Sequence, residues 1–491
     1  MKRKKTTQPA AAPANPLEDS LGRFLPLLPP ADQASLLEDL QVPLRQSLRV
    51  NPHKTQPGAI HAWAAHYGWT VEPIPYCSTG WRVEPSAEGT LPSGTIEHRL
   101  GQFYIQDAAS MLPVELFERL EEVDQPLILD LAASPGGKTT HLAARSGERG
   151  LVLANDSSAE RITALRLVLQ SWGAPNTAVT QFPGERFGQW FPETFDFVLL
   201  DAPCSMQGLR ATDAHPLRPI TPREQTSLAR RQTQLLESAL QTVKVGGQVV
   251  YSTCNLSPEE DEGVLDALLR RHPATFEIAE LHLPVPAPGL KEAEGFQFDP
   301  QVQKAARLWP HLYHTAGFFA ALLRKVAEIP TETMELPFRP LERAGFVPLE
   351  RKEYLELAAD MRQEYGLDLP ALLEQHDLAL YRRNRLIFAF PGLFLGRFMD
   401  LPVQAAGLLF AEQTPEDLLP SNEFVNRFWG EFKSNRFLLP ADLLPAWLRG
   451  EDVPLDSGLP GGRLVIVLDE SGRYLGRGRA IPAKIKNLGR K

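Results

Sequence analysis

The chain has 491 residues, with 51 Lys and Arg against 60 Asp and Glu, and a formal net charge of −9. This balance excludes a protein coated uniformly in positive charge for non-specific nucleic-acid binding, although local basic patches remain possible. Three cysteines cannot form a disulfide framework, and the basic start is not followed by an apolar segment, so we expect a cytoplasmic protein. No apolar run approaches the roughly 18 to 20 residues of a membrane helix, so we expect no membrane role.

The composition changes along the chain and predicts five segments. Residues 1–17 are basic and then rich in Ala and Pro, which is typical of a disordered tail. Residues 18–102 mix helix-like and strand-like stretches, as in a small mixed domain. In residues 103–326, apolar runs alternate with amphipathic segments, which indicates an α/β domain. A Pro-rich stretch then indicates a linker and small intermediate domain over 327–395, and 396–491 contains strand-like runs and a hairpin pattern.

Four apolar runs in the α/β segment predict buried, mainly parallel strands of an open sheet flanked by helices. Two stretches, Thr221–Glu224 and Ser257–Glu260, have the pattern of capping boxes with proline at the first helical position. A further strand is predicted at Gly317–Lys325. The four runs are PLILDL, GLVLAND, FDFVLLD and GGQVVYST.

The first predicted strand leads into a turn with two adjacent glycines, which let bare backbone and a helix N-terminus approach a nucleotide-like ligand. The spacing is neither a dinucleotide fingerprint nor a phosphate-binding loop, and an ordinary tight turn is the alternative. Asp156 closes the second strand, where a carboxylate accepts hydrogen bonds from ribose hydroxyls or else caps a helix. Together these features favour a nucleoside cofactor. The turn comprises Ala132, Ala133, Ser134, Pro135, Gly136, Gly137 and Lys138.

Two of the three cysteines follow predicted strands. Asp201 and Cys204 come directly after FDFVLL, and Cys254 follows GGQVVYST. In open α/β sheets this carboxyl edge holds the active site. One buried cysteine near a strand is unremarkable, but chance explains this pair poorly. The spacing does not suit zinc and a disulfide is unexpected in the cytoplasm, so we expect no metal.

At these residues the chain resembles the Nop/Sun family of RNA cytosine-5 methyltransferases. The carboxyl-terminal extension, with WLRGEDV and YLGRGRAIPAKIKNLGRK, resembles the bacterial RsmF type that acts on 16S ribosomal RNA. The resemblance implies a class I, Rossmann-like S-adenosylmethionine methyltransferase domain, RNA-binding domains at 18–102 and, PUA-like, at 396–491, and a monomer that binds RNA. The blocks that carry it are QDAASMLPVELF, LDLAASPGGKTTHLAA, LANDSSAERITAL, LLDAPCS, LARRQTQLLESAL, GGQVVYSTCNLSPEEDEGVL and WPHLYHTAGFFAALL.

The resemblance also implies roles for the site residues. Because cytosine C5 is a poor nucleophile, a thiolate first adds to C6, and C5 then takes the methyl group. By resemblance, Cys254 is this nucleophile, and Cys204 assists release of the enzyme from the methylated base. The rival assignment makes Cys204 the nucleophile, because DNA cytosine methyltransferases use a cysteine that follows a proline. Asp201 would hydrogen-bond the ring near N3, and Lys138 would supply positive charge. The base must be single-stranded or flipped.

The cofactor site implied by the resemblance comprises the turn Ala132–Lys138, Asp156, Asp201 and the position of Pro183. Where the family usually has an Asp, this chain has Pro183, so we expect weaker cofactor binding. Met206 stands where the family usually has a glycine. We expect ribosomal RNA as the substrate, with transfer RNA second. The other candidates are an RNA-binding assembly factor that lost catalysis and a methyltransferase acting on an exocyclic amine or a protein.

Overall fold

The computed structural model describes residues 21–210, 219–414, 418–455 and 462–489, and the predicted tail lies outside them. The first region is built on a four-stranded antiparallel sheet and the helix Ala59–Tyr67, which buries Trp63 against it. In sheet order the strands are Trp69–Ile74, Cys77–Pro85, Gln46–Val50 and Phe103–Ile105, and the other helices are Pro30–Leu40 and Ile96–Arg99.

The central sheet has the seven main strands of a doubly wound fold. Their order is β6–β7–β5–β4–β1–β2–β3, and among these seven only β7 runs antiparallel to its neighbours. Two short antiparallel strands complete a sheet of nine: Ala306–Leu308 pairs with β7 and Ala405–Ala406 pairs with β3. From β1, the chain first adds β2 and β3 on one side and then crosses to add β4 and β5 on the other. The crevice between β1 and β4 is therefore the switch point where such sheets bind ligands. The predicted α/β architecture is confirmed. The strands are β1 (Leu127–Asp130), β2 (Leu151–Asn155), β3 (Thr177–Thr180), β4 (Phe195–Asp201), β5 (Val243–Thr253), β6 (Phe276–Ile278) and β7 (Phe318–Lys325).

Helices cover both faces of this sheet. The capping box at Thr221 is confirmed, since its side chain accepts from the amide of Glu224. The second predicted capping box is wrong: the helix there begins at Glu262, because the Glu260 carboxylate is bound to Ser205 instead of to its own helix. The helices are α1 (Gly137–Arg145), α2 (Ala159–Trp172), α3 (Phe187–Trp190), α4 (Pro222–Thr242) and α5 (Glu262–Arg271); Leu112–Glu115 and Pro310–Tyr313 are single turns.

Two sheets follow β7, the first antiparallel and the second mixed. They share one hydrophobic core, to which Phe410 and Phe424 contribute from the first sheet and its helices and Ile466 from the second sheet. The predicted late hairpin is confirmed. The first sheet has Val347–Pro348, Leu378–Arg383, Leu386–Pro391, Leu408–Gln413 and Leu418–Pro420, with helices Arg351–Tyr365, Leu369–Gln375, Gly392–Arg397 and Asn422–Phe428. The second has Arg436–Leu438, Leu464–Leu468, Tyr474–Ile481, Lys484–Asn487 and Val453–Pro454, with helix Leu444–Leu448.

Two of the predicted domain boundaries fall inside sheets. Phe103–Ile105, placed in the catalytic segment, pairs with Gln46–Val50 of the first region, and Leu386–Pro391 pairs with Leu408–Gln413 across the boundary at 395. Backbone pairing between strands distant in sequence overrides the composition change that suggested each boundary. None of the described helices is long and apolar enough to cross a membrane.

Candidate active site

The predicted catalytic residues meet at the carboxyl edge of the central sheet. β4 ends at Asp201 and pairs there with Ser252 of β5, so the loops that follow the two strands begin side by side. This places the sulfur atoms of Cys204 and Cys254 3.1 Å apart, and both cysteines are free.

Both glycines of the predicted ligand turn are needed by the geometry. Gly136 has a φ of +111°, and a Cβ there would lie 3.0 Å from the Leu165 side chain of α2. A Cβ on Gly137 would lie 2.8 Å from the Tyr104 ring, which lines the adjoining cavity. The turn therefore packs closely against α2 on one side and opens onto the cavity on the other. The cavity is lined by Tyr104, Ile105, Gln106, Asp107, Ser110, Asp130, Ala132, Ala133, Ser134, Pro135, Gly137, Lys138 and Asp201.

Asp130, which the sequence reasoning missed, leaves an acceptor free in this cavity. One of its carboxylate oxygens accepts from the Thr139 hydroxyl at 2.7 Å, but the other is buried without a partner. Burial raises the pKa of Asp130 to about 7, although the bond from Thr139 opposes the rise. Its position as the last residue of β1, directly before the glycine turn, was the signal available in the sequence.

Asp156 lies beyond β2 beside a second, smaller cavity that adjoins the first at Ala132. Its carboxylate accepts from the amides of Ser158 at 2.9 Å and Ser134 at 3.3 Å, so it ties the start of α2 to the glycine turn. Gly184 lines this cavity, whereas the preceding Pro183 is exposed.

Lys138 and Asp201 form an ion pair at 2.7 Å between the cavity and the cysteines. The second Asp201 oxygen accepts from the Ser252 hydroxyl at 2.8 Å. Burial disfavours the Lys138 ammonium, but the Asp201 carboxylate more than offsets that penalty and raises the pKa of Lys138 above its ordinary value. Lys138 is therefore a fixed cation, with its charge directed at Asp201.

The thiol of Cys204 is strongly perturbed by its surroundings. The pKa of the Cys204 thiol is raised well above its ordinary value, first by the hydrogen bond with Cys254 and then by burial. Cys204 thus keeps its proton in the free protein. Two residues further on, Met206 has a φ of +57° and an exposed side chain, so the glycine usual at this position would relax the backbone.

A mainly parallel sheet of this strand order, with a cavity at its switch point and two adjacent free thiols beside it, defines a class I methyltransferase. The family description "16S rRNA methyltransferase RsmB/F" matches residues 118–324, and "N-terminal domain of 16S rRNA methyltransferase RsmF" matches residues 23–108. The chain is similar to ribosomal RNA small subunit methyltransferase F of Erwinia tasmaniensis, with 35% identity over 94% of this chain and 93% of the relative. The same-named protein of Cronobacter sakazakii is 34% identical, with 94% of each chain covered.

Among solved structures, a methyltransferase homologue from Pyrococcus horikoshii is 28% identical, with a TM-score of 0.54, and covers 64% of this chain and 100% of its own. NSun6 from the same organism shares the fold at 22% identity and a TM-score of 0.52, over 63% of this chain and 98% of its own. The chain belongs to the RsmB/F family of 16S ribosomal RNA methyltransferases.

The cofactor of this family is S-adenosylmethionine, and the residues around the cavity fit it. S-adenosylmethionine carries a sulfonium and an amino group, both positively charged. The unpartnered oxygen of Asp130 offers an acceptor to such a donor, and Asp107 adds a second carboxylate whose pKa burial raises. Taken singly, these buried carboxyl groups are costly, and a cationic ligand removes much of that cost.

Proposed function

We propose that this chain methylates C5 of a cytosine in small-subunit ribosomal RNA through a covalent bond between Cys254 and C6. The observation that carries the proposal is the pair of free cysteines, 3.1 Å apart, beside the Lys138–Asp201 ion pair. Methylation of an exocyclic amine or of a protein side chain has no use for two such thiols.

The glycine turn Ala132–Lys138, Asp130 and Asp156 would hold the cofactor, which supplies an electrophilic methyl group when bound. Asp130 would accept from its amino group, and Asp156 would accept from ribose hydroxyls if Ser134 or Ser158 gave way as donor. Pro183 offers no acceptor side chain at the adenine end. The reaction needs no metal, and one chain supplies every group named here.

By its resemblance to the family, Cys254 would be the nucleophile, and Cys204, whose sulfur lies 3.1 Å away, would act afterwards. The lone pair of a Cys254 thiolate forms the C6–S bond, and the C5=C6 π electrons are displaced into the ring. The resulting enamine makes C5 nucleophilic enough to take the methyl group. The Asp201 carboxylate would accept a hydrogen bond from the exocyclic amino group of the cytosine, next to N3. The Lys138 ammonium and the Ser252 hydroxyl hold that carboxylate in place.

Cys204 would act in the second half of the reaction. After methyl transfer, C5 carries both hydrogen and methyl, and a Cys204 thiolate removes the hydrogen as a proton. The electrons of that C–H bond form the C5–C6 double bond, while the C6–S bond breaks and returns its pair to Cys254. Cys204 must lose one proton to solvent in each catalytic cycle. This is the one proton that the overall reaction releases when a methyl group replaces the hydrogen on C5. Formation of the adduct removes the hydrogen bond with Cys254, the largest cause of the raised pKa of Cys204.

The substrate is proposed from the relatives, which are named as methyltransferases of small-subunit ribosomal RNA. Transfer RNA remains the second candidate, and the proposed location is the cytoplasm, where ribosomes are assembled. Residues 472–491 contain seven Lys or Arg and no Asp or Glu, which supports contact with RNA phosphates. Part of this charge is already paired, because Arg473 pairs with Glu97 and Lys484 pairs with Asp452. Lys486, which is exposed, is better placed for a phosphate.

The test is transfer of a labelled methyl group from S-adenosylmethionine to small ribosomal subunits, free 16S RNA and transfer RNA. The wild type and Cys254→Ala are compared, and mass spectrometry identifies the modified nucleoside. We expect 5-methylcytosine in ribosomal RNA from the wild type alone. Methylation of an amine, full activity of Cys254→Ala, or cofactor binding without transfer to any RNA would each contradict the proposal, and the last would favour an assembly factor.

A further inference from the structure

We infer that Glu260 is a positioning residue that holds Cys204 in the place needed to release the methylated base. This inference rests on the proposed function, since it concerns the second half of that reaction. Glu260 is fully buried, yet it makes none of the capping contacts expected of its sequence position.

Among the described residues, the Glu260 carboxylate accepts from Ser205, which follows Cys204, and from Gln232, which also binds the residue before Cys204. The Ser205 amide donates to it at 3.0 Å, and the Ser205 hydroxyl donates to its other oxygen at 2.5 Å. The Gln232 side chain donates to Glu260 at 2.9 Å and also to the carbonyl of Pro203 at 3.0 Å. The backbone is thus held immediately before and immediately after Cys204, and bonds to an ionised acceptor are stronger than neutral ones.

The same turn also fixes the other cysteine. Asp261, the next residue, accepts from the hydroxyl of Thr253 at 2.6 Å, and Thr253 directly precedes Cys254. The Tyr251 hydroxyl donates to the carbonyl of Glu260 at 2.5 Å, which ties the turn to β5. Two consecutive acidic residues therefore set the positions of both sulfur atoms relative to each other.

The two halves of the reaction depend differently on this arrangement. Addition needs Cys254 and the bound base, whereas release also needs the Cys204 sulfur within reach of the hydrogen on C5. In Glu260→Gln, one carboxylate oxygen becomes an NH₂ group. On one side this group faces the amides of Ser205 and Gln232, which are both donors, and on the other it forces the Ser205 hydroxyl to turn and accept. The Cys204 loop then shifts, and a displacement of about 1 Å slows a positioned proton transfer by about 10- to 100-fold.

The experiment measures adduct and product together in the full-length protein. Labelled S-adenosylmethionine and the RNA that wild type methylates are mixed with each variant, quenched in denaturant, and divided into covalent protein–RNA complex and free 5-methylcytosine. We expect Glu260→Gln to accumulate complex, as Cys204→Ala does, with release slowed about 10- to 100-fold and adduct formation changed less than threefold. Glu259→Gln, an exposed neighbour, is the matched control and should behave as wild type.

A purely structural role would lower complex and product in the same proportion, and that result would overturn the inference, as would wild-type behaviour of Glu260→Gln. If Glu260→Gln does not fold, Ser205→Ala removes only the hydroxyl donor and should show a smaller shift of the same sign. Proportional loss in Ser205→Ala would again contradict the inference. Failure of the wild type to form 5-methylcytosine would instead refute the proposed function.

Discussion

The two halves of the catalytic cleft are built differently. The cofactor half is made largely of backbone, with a turn at positive φ and a carboxylate, Asp130, that has one oxygen without a partner. In the cysteine half, Asp201, Glu260 and Asp261 are already bound by protein donors. The cofactor half thus has a carboxylate oxygen that a ligand can still supply with a hydrogen-bond donor. In the cysteine half, the carboxylates are already held by donors from the protein. Changes in the cofactor half should therefore alter affinity, and changes in the cysteine half should alter turnover.

Apart from loss of the nucleophile Cys254, the largest effect is expected at Asp201, which joins the two halves. Asp201→Asn leaves the buried Lys138 ammonium without its anion and removes the acceptor proposed to face the cytosine. We expect kcat to fall by about 10³-fold, since such fixed charges contribute several kcal/mol to a reaction. Calorimetric binding of S-adenosylmethionine should weaken less than tenfold. Equal losses in kcat and affinity would show that the halves are not separable.

A smaller effect is expected at Asp130. Its replacement should lower the affinity for S-adenosylmethionine and raise the stability of the free protein. Asp130→Asn removes the negative charge that faces the cofactor, so S-adenosylmethionine should bind roughly 10- to 100-fold more weakly at pH 8. The same change should stabilise the free protein at pH 8 by about 1–3 kcal/mol, because the native state no longer buries a carboxylate.

The sign of the pH dependence follows from the raised pKa of Asp130, about 7 in the folded protein. The native state binds this proton more tightly than the unfolded chain, so the group costs stability as pH rises from about 4 through 7. Urea unfolding should show that Asp130→Asn has a higher free energy of unfolding than wild type at pH 8. Near pH 4 the two proteins should have the same free energy of unfolding. A difference independent of pH would contradict this assignment.

The smallest effect is expected at Pro183. Pro183→Asp restores an acceptor beside the smaller cavity and should tighten S-adenosylmethionine binding by up to about tenfold, the value of one charge-assisted hydrogen bond. Turnover at saturating cofactor should stay within twofold. Pro183→Ala, which adds no acceptor, is the control. If Pro183→Asp binds S-adenosylmethionine no more tightly than wild type, the proline at this position does not weaken cofactor binding.

The sequence predicts what is local in this molecule. Five of the seven main strands, the glycine turn and the loops bearing Cys204 and Cys254 follow from short patterns, and the parallel order of strands brings those loops together. The short strands Thr177–Thr180 and Phe276–Ile278 lack such a pattern and were not predicted. Glu260 was misassigned to a helix cap because its partner Ser205 lies 55 positions away, and no local pattern contains that pairing. The boundary at residue 102 failed for the same reason, since Phe103–Ile105 pairs with a strand at Gln46–Val50. The unpartnered oxygen of Asp130 depends on burial and is visible only in the structure.

The central claim is that Cys254 bonds to the base and Cys204 frees it. The most direct test uses Cys204→Ala with S-adenosylmethionine and the RNA that wild type methylates, followed by denaturation, digestion and mass spectrometry of the crosslinked peptide. We expect a stable complex in which a methylated cytosine is attached to Cys254, and no complex in the double variant Cys204→Ala, Cys254→Ala. Attachment at any other residue, or sustained turnover by Cys204→Ala without a complex, would contradict the claim.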